Sequence, residues 1–437
     1  MLNRSIITYA SVLCLLFAAS TVFAEESDTM NPSVSTVQNK KKASSNKQEK
    51  NNAQPIPYTA PVHGFAPQSA HSLGLGSRIH VNGFLSAGVA KTNTTANYNI
   101  PDHGSINNNI NYTANSLVGL QIIGDITRQF SAVVQLVANG DNTNGNQPYH
   151  VKAEWAFLRY AATPGLQFRA GRFRLPAFMY SDTEEVGYTY PWVTLPNEVY
   201  RIVPFNNMNG FDMIYSLPLG NSGWVLSFQP YVGENQSQYD LYTNDASFIP
   251  SGTTATFDEN DLLGGVVSVS NQYLTLRANY TRVNLNGYIP NLPSLNNTNL
   301  SLFHNVPASF YSVGAKFDYH HFLAVSEYAH RNTPDQLAAL TGYYGMVGYR
   351  IGKFLPNLTY AHIDTTNTHE LITTEGAELP EAQRSYTAGL DYYINSNVVA
   401  KVGVSQITPL DGTNGLFDAP VGRQYVYLYS ASLDIIF

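Results

Sequence analysis

The chain has 437 residues, of which only 13% are charged, and its 24 basic and 31 acidic side chains give a formal net charge of −7. That balance excludes nucleic acid as a partner, and a single cysteine excludes a disulfide-stapled scaffold. No stretch has the roughly 18 uninterrupted apolar residues of a spanning helix, so any membrane crossing must be made by the strands of a closed barrel.

Arg4 precedes an apolar run over residues 6–19, and Val22-Phe23-Ala24 offers the small residues a signal peptidase reads, so residues 1–24 are expected to be a signal peptide. Cys14 lies inside it, and its removal would leave a cysteine-free chain of net charge about −8. Residues 25–77 are rich in Asn, Ser, Lys and Gln, with Lys40, Lys41 and Lys42 in a run. Such a composition cannot bury a core, and a disordered leader is expected.

From Ile79 the hydrophobic period becomes two, and residues 78–437 read as one barrel domain. In the first strand Ile79, Val81, Leu85, Ala87 and Val89 alternate with His80, Asn82, Ser86 and Gly88. Its length matches the ~9–11 residues a tilted membrane strand requires. The second strand centres on residues 117–124. The third sets Phe130, Ala132, Val134, Leu136 and Ala138 against Ser131, Gln135 and Asn139. In the fourth, Val151, Ala153, Trp155 and Phe157 are expected outside, with Lys152 and Glu154 inside.

After a Thr163-Pro164-Gly165 turn the fifth strand puts Leu166, Phe168 and Ala170 on one face and Gln167, Arg169 and Gly171 on the other. A long connection follows Arg172 and Arg174, and it carries Asp182, Glu184, Glu185 and several aromatics. Eleven further strands are expected at about 210–217, 224–229, 262–269, 274–281, 311–318, 322–330, 343–350, 354–362, 386–392, 398–405 and 427–437. The run at 322–330 has mixed parity, so its faces are left unassigned. The segments 235–259 and 285–308 read as long Asn- and Thr-rich loops.

About sixteen strands result, joined alternately by short and long connections, as a membrane barrel with short inner turns and long outer loops requires. Phe130, Tyr160, Tyr273, Tyr319, Phe322, Phe354 and Phe437 gather beside the short turns, where amphipathic rings suit a membrane–water boundary. The last strand alternates Tyr427, Tyr429, Ala431, Leu433, Ile435 and Phe437 with polar residues and stops on the aromatic. Such an end resembles the assembly signal of outer-membrane barrels.

The run Arg169-Ala170-Gly171-Arg172-Phe173-Arg174-Leu175-Pro176, then Tyr180-Ser181-Asp182, then Val186-Gly187-Tyr188-Thr189-Tyr190-Pro191-Trp192, resembles Gram-negative porins of the gammaproteobacterial type. The likeness covers about residues 79–437. It implies an all-β, transmembrane antiparallel barrel of about sixteen strands in the outer membrane, with the third extracellular loop folded into the lumen. It further implies a homotrimer, passing small hydrophilic solutes and ions, surrounded by outer-membrane lipids and lipopolysaccharide and inserted by the barrel-assembly machinery. The loop here lacks the Pro-Glu-Phe-Gly-Gly run of the enterobacterial pattern.

On this reading Arg169, Arg172 and Arg174 form a basic wall facing Asp182, Glu184, Glu185 and Tyr188 across a constriction. Opposed charges ~8 Å apart at an effective dielectric constant near ~20 interact by about 2 kcal/mol, enough to bias permeation. Lys152, Glu154, Arg277, Lys316, Asp318, Asp391, Lys401 and Asp434 face the lumen by parity. Tyr188, Tyr190 and Tyr200 offer an alternative, a sugar-stacking ladder in a substrate-specific channel; the long loops offer another, a surface adhesin or receptor. No nucleophile–base pair, metal-ligand spacing or phosphate loop is evident, so neither an enzyme nor a cofactor or metal is expected.

Overall fold

The computed structural model describes residues 73–74, 78–100, 103–140, 148–241, 253–292, 298–334, 337–368 and 380–437. The expected signal peptide, and all of the expected leader except Leu73 and Gly74, lie outside these residues. Leu73 and Gly74 pair with Val81 and His80, so strand pairing already begins within the stretch read as leader.

The barrel opens with β1 (Ile79–Thr92), β2 (Leu117–Asp125), β3 (Phe130–Asn139), β4 (Val151–Thr163), β5 (Leu166–Arg174) and β6 (Asn207–Pro218). It continues through β7 (Val225–Leu241), β8 (Thr253–Ser270), β9 (Leu274–Leu292), β10 (Thr298–Tyr319) and β11 (Phe322–Asn332). β12 (Leu340–Tyr349), β13 (Phe354–Thr365), β14 (Ala382–Tyr393), β15 (Val398–Pro409) and β16 (Val426–Ile436) complete it. Each strand pairs antiparallel with its sequence neighbours, and β16 returns to β1 in a register running from Leu428↔Thr92 to Ile436↔Phe84. Closure leaves no edge, as a membrane span requires.

The final residue fastens the seam. Phe437 and Gly83 exchange both backbone hydrogen bonds, at 2.7 and 2.9 Å. A Cβ on Gly83 would sit 2.3 Å from the Phe437 ring, so only glycine admits this packing.

Every second connection is a turn of only two to six residues, and these turns share one end of the barrel. The rings beside them remain largely exposed, in outward pairs: Phe130 stacks on Tyr160 at 4.6 Å, and Phe354 on Tyr392 at 4.8 Å. Toward the other end β7, β8, β9 and β10 reach 17, 18, 19 and 22 residues, well beyond the ~9–11 that span a bilayer. Much of 235–259 and 285–308, read from sequence as loop, is therefore paired strand. Asn and Thr there satisfy the ladder in water as they would in a loop, so composition alone does not separate the two.

The face assignment of β4 is corrected by a bulge. Gln135 pairs with Trp155 and Leu136 with Ala153, leaving Glu154 unpaired in the ladder. The extra residue reverses the parity beyond it. Trp155 and Phe157, expected on the lipid side, are 1% and 7% exposed, whereas Ala156 and Leu158 are exposed. β11 also explains its ambiguous pattern: Leu323, Val325 and Ala329 are buried inward, because a loop covers that wall.

Replacing Phe437 with Ala is expected to lower the stability of the folded barrel by about 1–2 kcal/mol, since half of the ring is covered. The readout is the temperature at which the fast-migrating folded band disappears on a gel.

Candidate functional site: a strap pinned across the lumen

The connection between β5 and β6, residues 175–206, turns into the barrel. Pro176, Pro191 and Pro196 cannot donate to a ladder, and the segment instead makes short turns at Ser181–Thr183 and Gly187–Thr189 and one helical turn at Asn197–Tyr200. Phe178, Trp192, Val199 and Ile202 join an apolar cluster with inward residues of β11–β13, among them Val325, Tyr344, Met346 and Ile363. The helical turn rests on Gly342, where a Cβ would meet the Glu198 carbonyl at 2.2 Å. The third long loop is thus an internal strap, as the resemblance implied.

Polar side chains of the wall hold it along its length. Arg277 donates to the Pro176 carbonyl at 2.7 Å, and Ser312 to that of Ala177 at 2.6 Å. The buried Glu327 carboxylate accepts from the Met179 amide at 2.6 Å, the Tyr200 hydroxyl at 2.8 Å and the Tyr344 hydroxyl at 2.7 Å. Lys401 donates to the carbonyls of Gly187, Tyr190 and Trp192 at 2.5, 2.8 and 3.0 Å, with Asp434 3.0 Å away. Trp192 donates from Nε1 to Thr359 at 2.8 Å, and Arg201 pairs with Glu381 at 2.6 Å.

The expected constriction charges divide. Arg174 does meet the loop carboxylates, but in direct contact: Glu185 lies at 2.5 Å, Glu184 at 3.5 Å and the bulged Glu154 at 3.4 Å. Asn207 donates a further hydrogen bond to Glu154. Arg169 is paired instead with Asp212 on β6 at 2.5 Å, between the rings of Phe157 and Phe173, while Gln229 donates to the same carboxylate at 2.8 Å. Arg172 donates from Nε to the Ala153 carbonyl beside exposed Ala153 and Ala156, so it leaves the expected basic wall. Asp182 is half-buried in the first turn of the strap. An open gap between a basic wall and an acidic loop is therefore replaced by a closed ion cluster. Strand residues and strap acids meet directly because the apolar face of the strap packs it against the wall.

The remaining predicted residues serve packing and pairing. Lys152 is half-buried opposite Val137, and the Lys316 ammonium lies 5.6 Å from the centre of the Tyr180 ring. Asp318 pairs bidentately with Arg350 at 2.6 and 2.8 Å. Asp391 is 1% exposed beside Lys401 in the register. The three tyrosines form no stacking ladder. Tyr188 donates to the Ser396 carbonyl at 2.8 Å, Tyr190 to that of Glu184 at 2.9 Å, and Tyr200 to Glu327. Asp212 and Glu327 were missed from sequence; for Glu327 the signal is the single acid of β11, set just after the apolar start of that strand.

Burial alone would raise the Glu185 carboxyl, but the Arg174 guanidinium outweighs it and holds the group below its ordinary value. Burial pushes the Tyr190 and Tyr200 hydroxyls well above theirs, so both remain donors. On either side of strap residues 191–198 a cleft remains. One lies toward Ser86, His103 and Leu117; the other, the larger, lies toward β13–β16.

A closed sixteen-strand barrel, apolar outside and crossed by an anchored internal loop, defines a transmembrane β-barrel of the outer-membrane kind. The family model described as Gram-negative porin matches residues 59–409, and the chain belongs to that family. It is accordingly an outer-membrane protein that crosses the bilayer many times by strands. Among solved structures it is similar to OmpF of Salmonella typhi, determined in complex with daunomycin, at 15% identity and a TM-score of 0.52, covering 82% of this chain and 97% of that one. It is likewise similar to the in-vitro folded trimer form of OmpT of Vibrio cholerae, at 10% identity and a TM-score of 0.50, covering 82% and 99%. At these identities the likeness concerns the fold. No curated protein matches the chain.

Replacing Arg174 with Ala strands three carboxylates and is expected to cost about 3–5 kcal/mol, with a loosened strap seen as noisier single-channel current. The depressed Glu185 contributes stability that is complete above its unfolded value, about 4.3, and is lost as pH falls through the lower folded value. The part of the current noise that depends on Glu185 should therefore stay constant from neutral pH down to roughly pH 4 and rise below it. In Glu185→Gln that acid-induced rise should shrink.

Proposed function

We propose that the barrel is a passive channel for small hydrophilic solutes and ions in the outer membrane, acting without catalysis or cofactor. The observation that carries this reading is the strap: it narrows the lumen, is fixed to the wall at both limbs, and leaves clefts beside residues 191–198. A water-filled path with side chains at close quarters selects by size and polarity, with no chemical step. Three copies form the working unit, as in the OmpT trimer form, embedded in lipid and lipopolysaccharide and inserted by the barrel-assembly machinery. Residues 1–24 direct export, and residues 25–77 serve as a periplasmic leader. Arg174, Glu184 and Glu185 fix the strap that sets the pore's width.

In planar bilayers the purified protein should show stepwise conductance in groups of three. Thr387→Cys, placed in the larger cleft of an otherwise thiol-free mature chain, should lose roughly half its conductance on labelling with a bulky thiol reagent. Absence of conductance steps, or full current after verified labelling, would count against the reading.

A further inference from the structure

Where the larger cleft opens beside the strap, the inner wall on β13–β16 is nearly free of charge. On β13–β16, Asn357, Gly389, Gly403 and Ser430 stand in one register row, and Thr359, Thr387 and Ser405 in the next. Most inward side chains of the barrel are buried, whereas Thr387, Gly389, Gly403, Ser405 and Ser430 are half-buried where the larger cleft opens. Small side chains create that space: a Cβ on Gly403 would meet nothing closer than the Ser430 hydroxyl at 3.2 Å.

Among the described residues lining this cleft, Glu198 is the single charged one, and its carboxylate accepts from Gln383 at 2.8 Å. In the row beneath, the Lys401 ammonium is turned to Asp434 and the strap carbonyls. The uncharged polar side chains along the cleft are hydroxyls and the amides of Asn197 and Asn357. Thr387 and Ser405 share a hydrogen bond of 2.7 Å, and Asn357 Oδ1, turned toward Gly389, is buried without a partner.

We infer that this cleft favours small uncharged polyhydroxylated solutes over ions of similar size. The inference rests on the channel reading above and specifies its substrate class. An anion entering the cleft gives up water without meeting an opposed fixed charge, and a cation meets only Glu198, whose carboxylate is already held by Gln383. A polyol exchanges its water hydrogen bonds for those of the Ser, Thr and Asn side chains and loses far less.

The test uses full-length protein in liposomes, with glucose, gluconate and glucosamine as probes of similar size and different charge. Glucose should enter about fivefold or more faster than either charged analogue. Thr387→Lys should raise gluconate entry about threefold with glucose entry little changed, and Ser405→Lys on the neighbouring strand should do the same if the first variant fails to give a folded band. Charged probes entering as fast as glucose overturn the inference while the channel reading stands. Gluconate entry unchanged in a folded Lys variant also overturns it, because the path then lies elsewhere. Wild-type protein that passes neither solute nor ion overturns the channel reading and the inference together.

Discussion

Hydrocarbon offers a peptide group nothing to bond with, and the architecture follows from that constraint. Sixteen strands satisfy one another only if the first and last also meet, so the pairing of β16 with β1 is a condition of the fold. Phe437 completes the ladder against Gly83 and lays its ring over the same residue. With backbone bonding confined to the ring, side chains divide by parity into an oily exterior and an interior free to build structure of its own. Here the interior builds a strap.

Ionisable groups in the lumen chiefly hold that strap. Arg174, Lys401, Arg277 and Glu327 lie on four different strands, and each engages a different part of residues 176–200. A buried ion pair is weak evidence of net stability, because desolvation offsets most of the attraction. Breaking one is costly, so such contacts fix geometry more firmly than they add free energy. Carbonyl-bound Lys401 illustrates the point: its donors are consumed by three strap carbonyls, and the strap cannot shift without leaving a buried ammonium unsatisfied.

The ring of strands was legible because lipid imposes a strict period of two, and turn lengths sorted themselves into two classes. Legibility ended wherever the interior ceased to be water. β11 lost its pattern because Leu323 and Val325 face the strap, so both sides of that strand are apolar. Glu154 defeated parity in another way, since one bulged residue exchanges inside for outside and carries Trp155 and Phe157 with it. The strap acids were recognised, and Arg174 was matched with them, but Asp212 claimed Arg169 from a neighbouring strand. Spacing along the chain carries no record of which of two nearby carboxylates an arginine will choose.

The grip of Lys401 has a consequence for biogenesis. Its carbonyl partners precede it by 209 to 214 positions, and Asp434, which steadies it, is three residues from the carboxyl terminus. A loop made early is therefore secured by strands that emerge late. The strap is not fully fastened until β15 and β16 are in place, so sealing the cylinder and seating the strap belong to the same stage of folding.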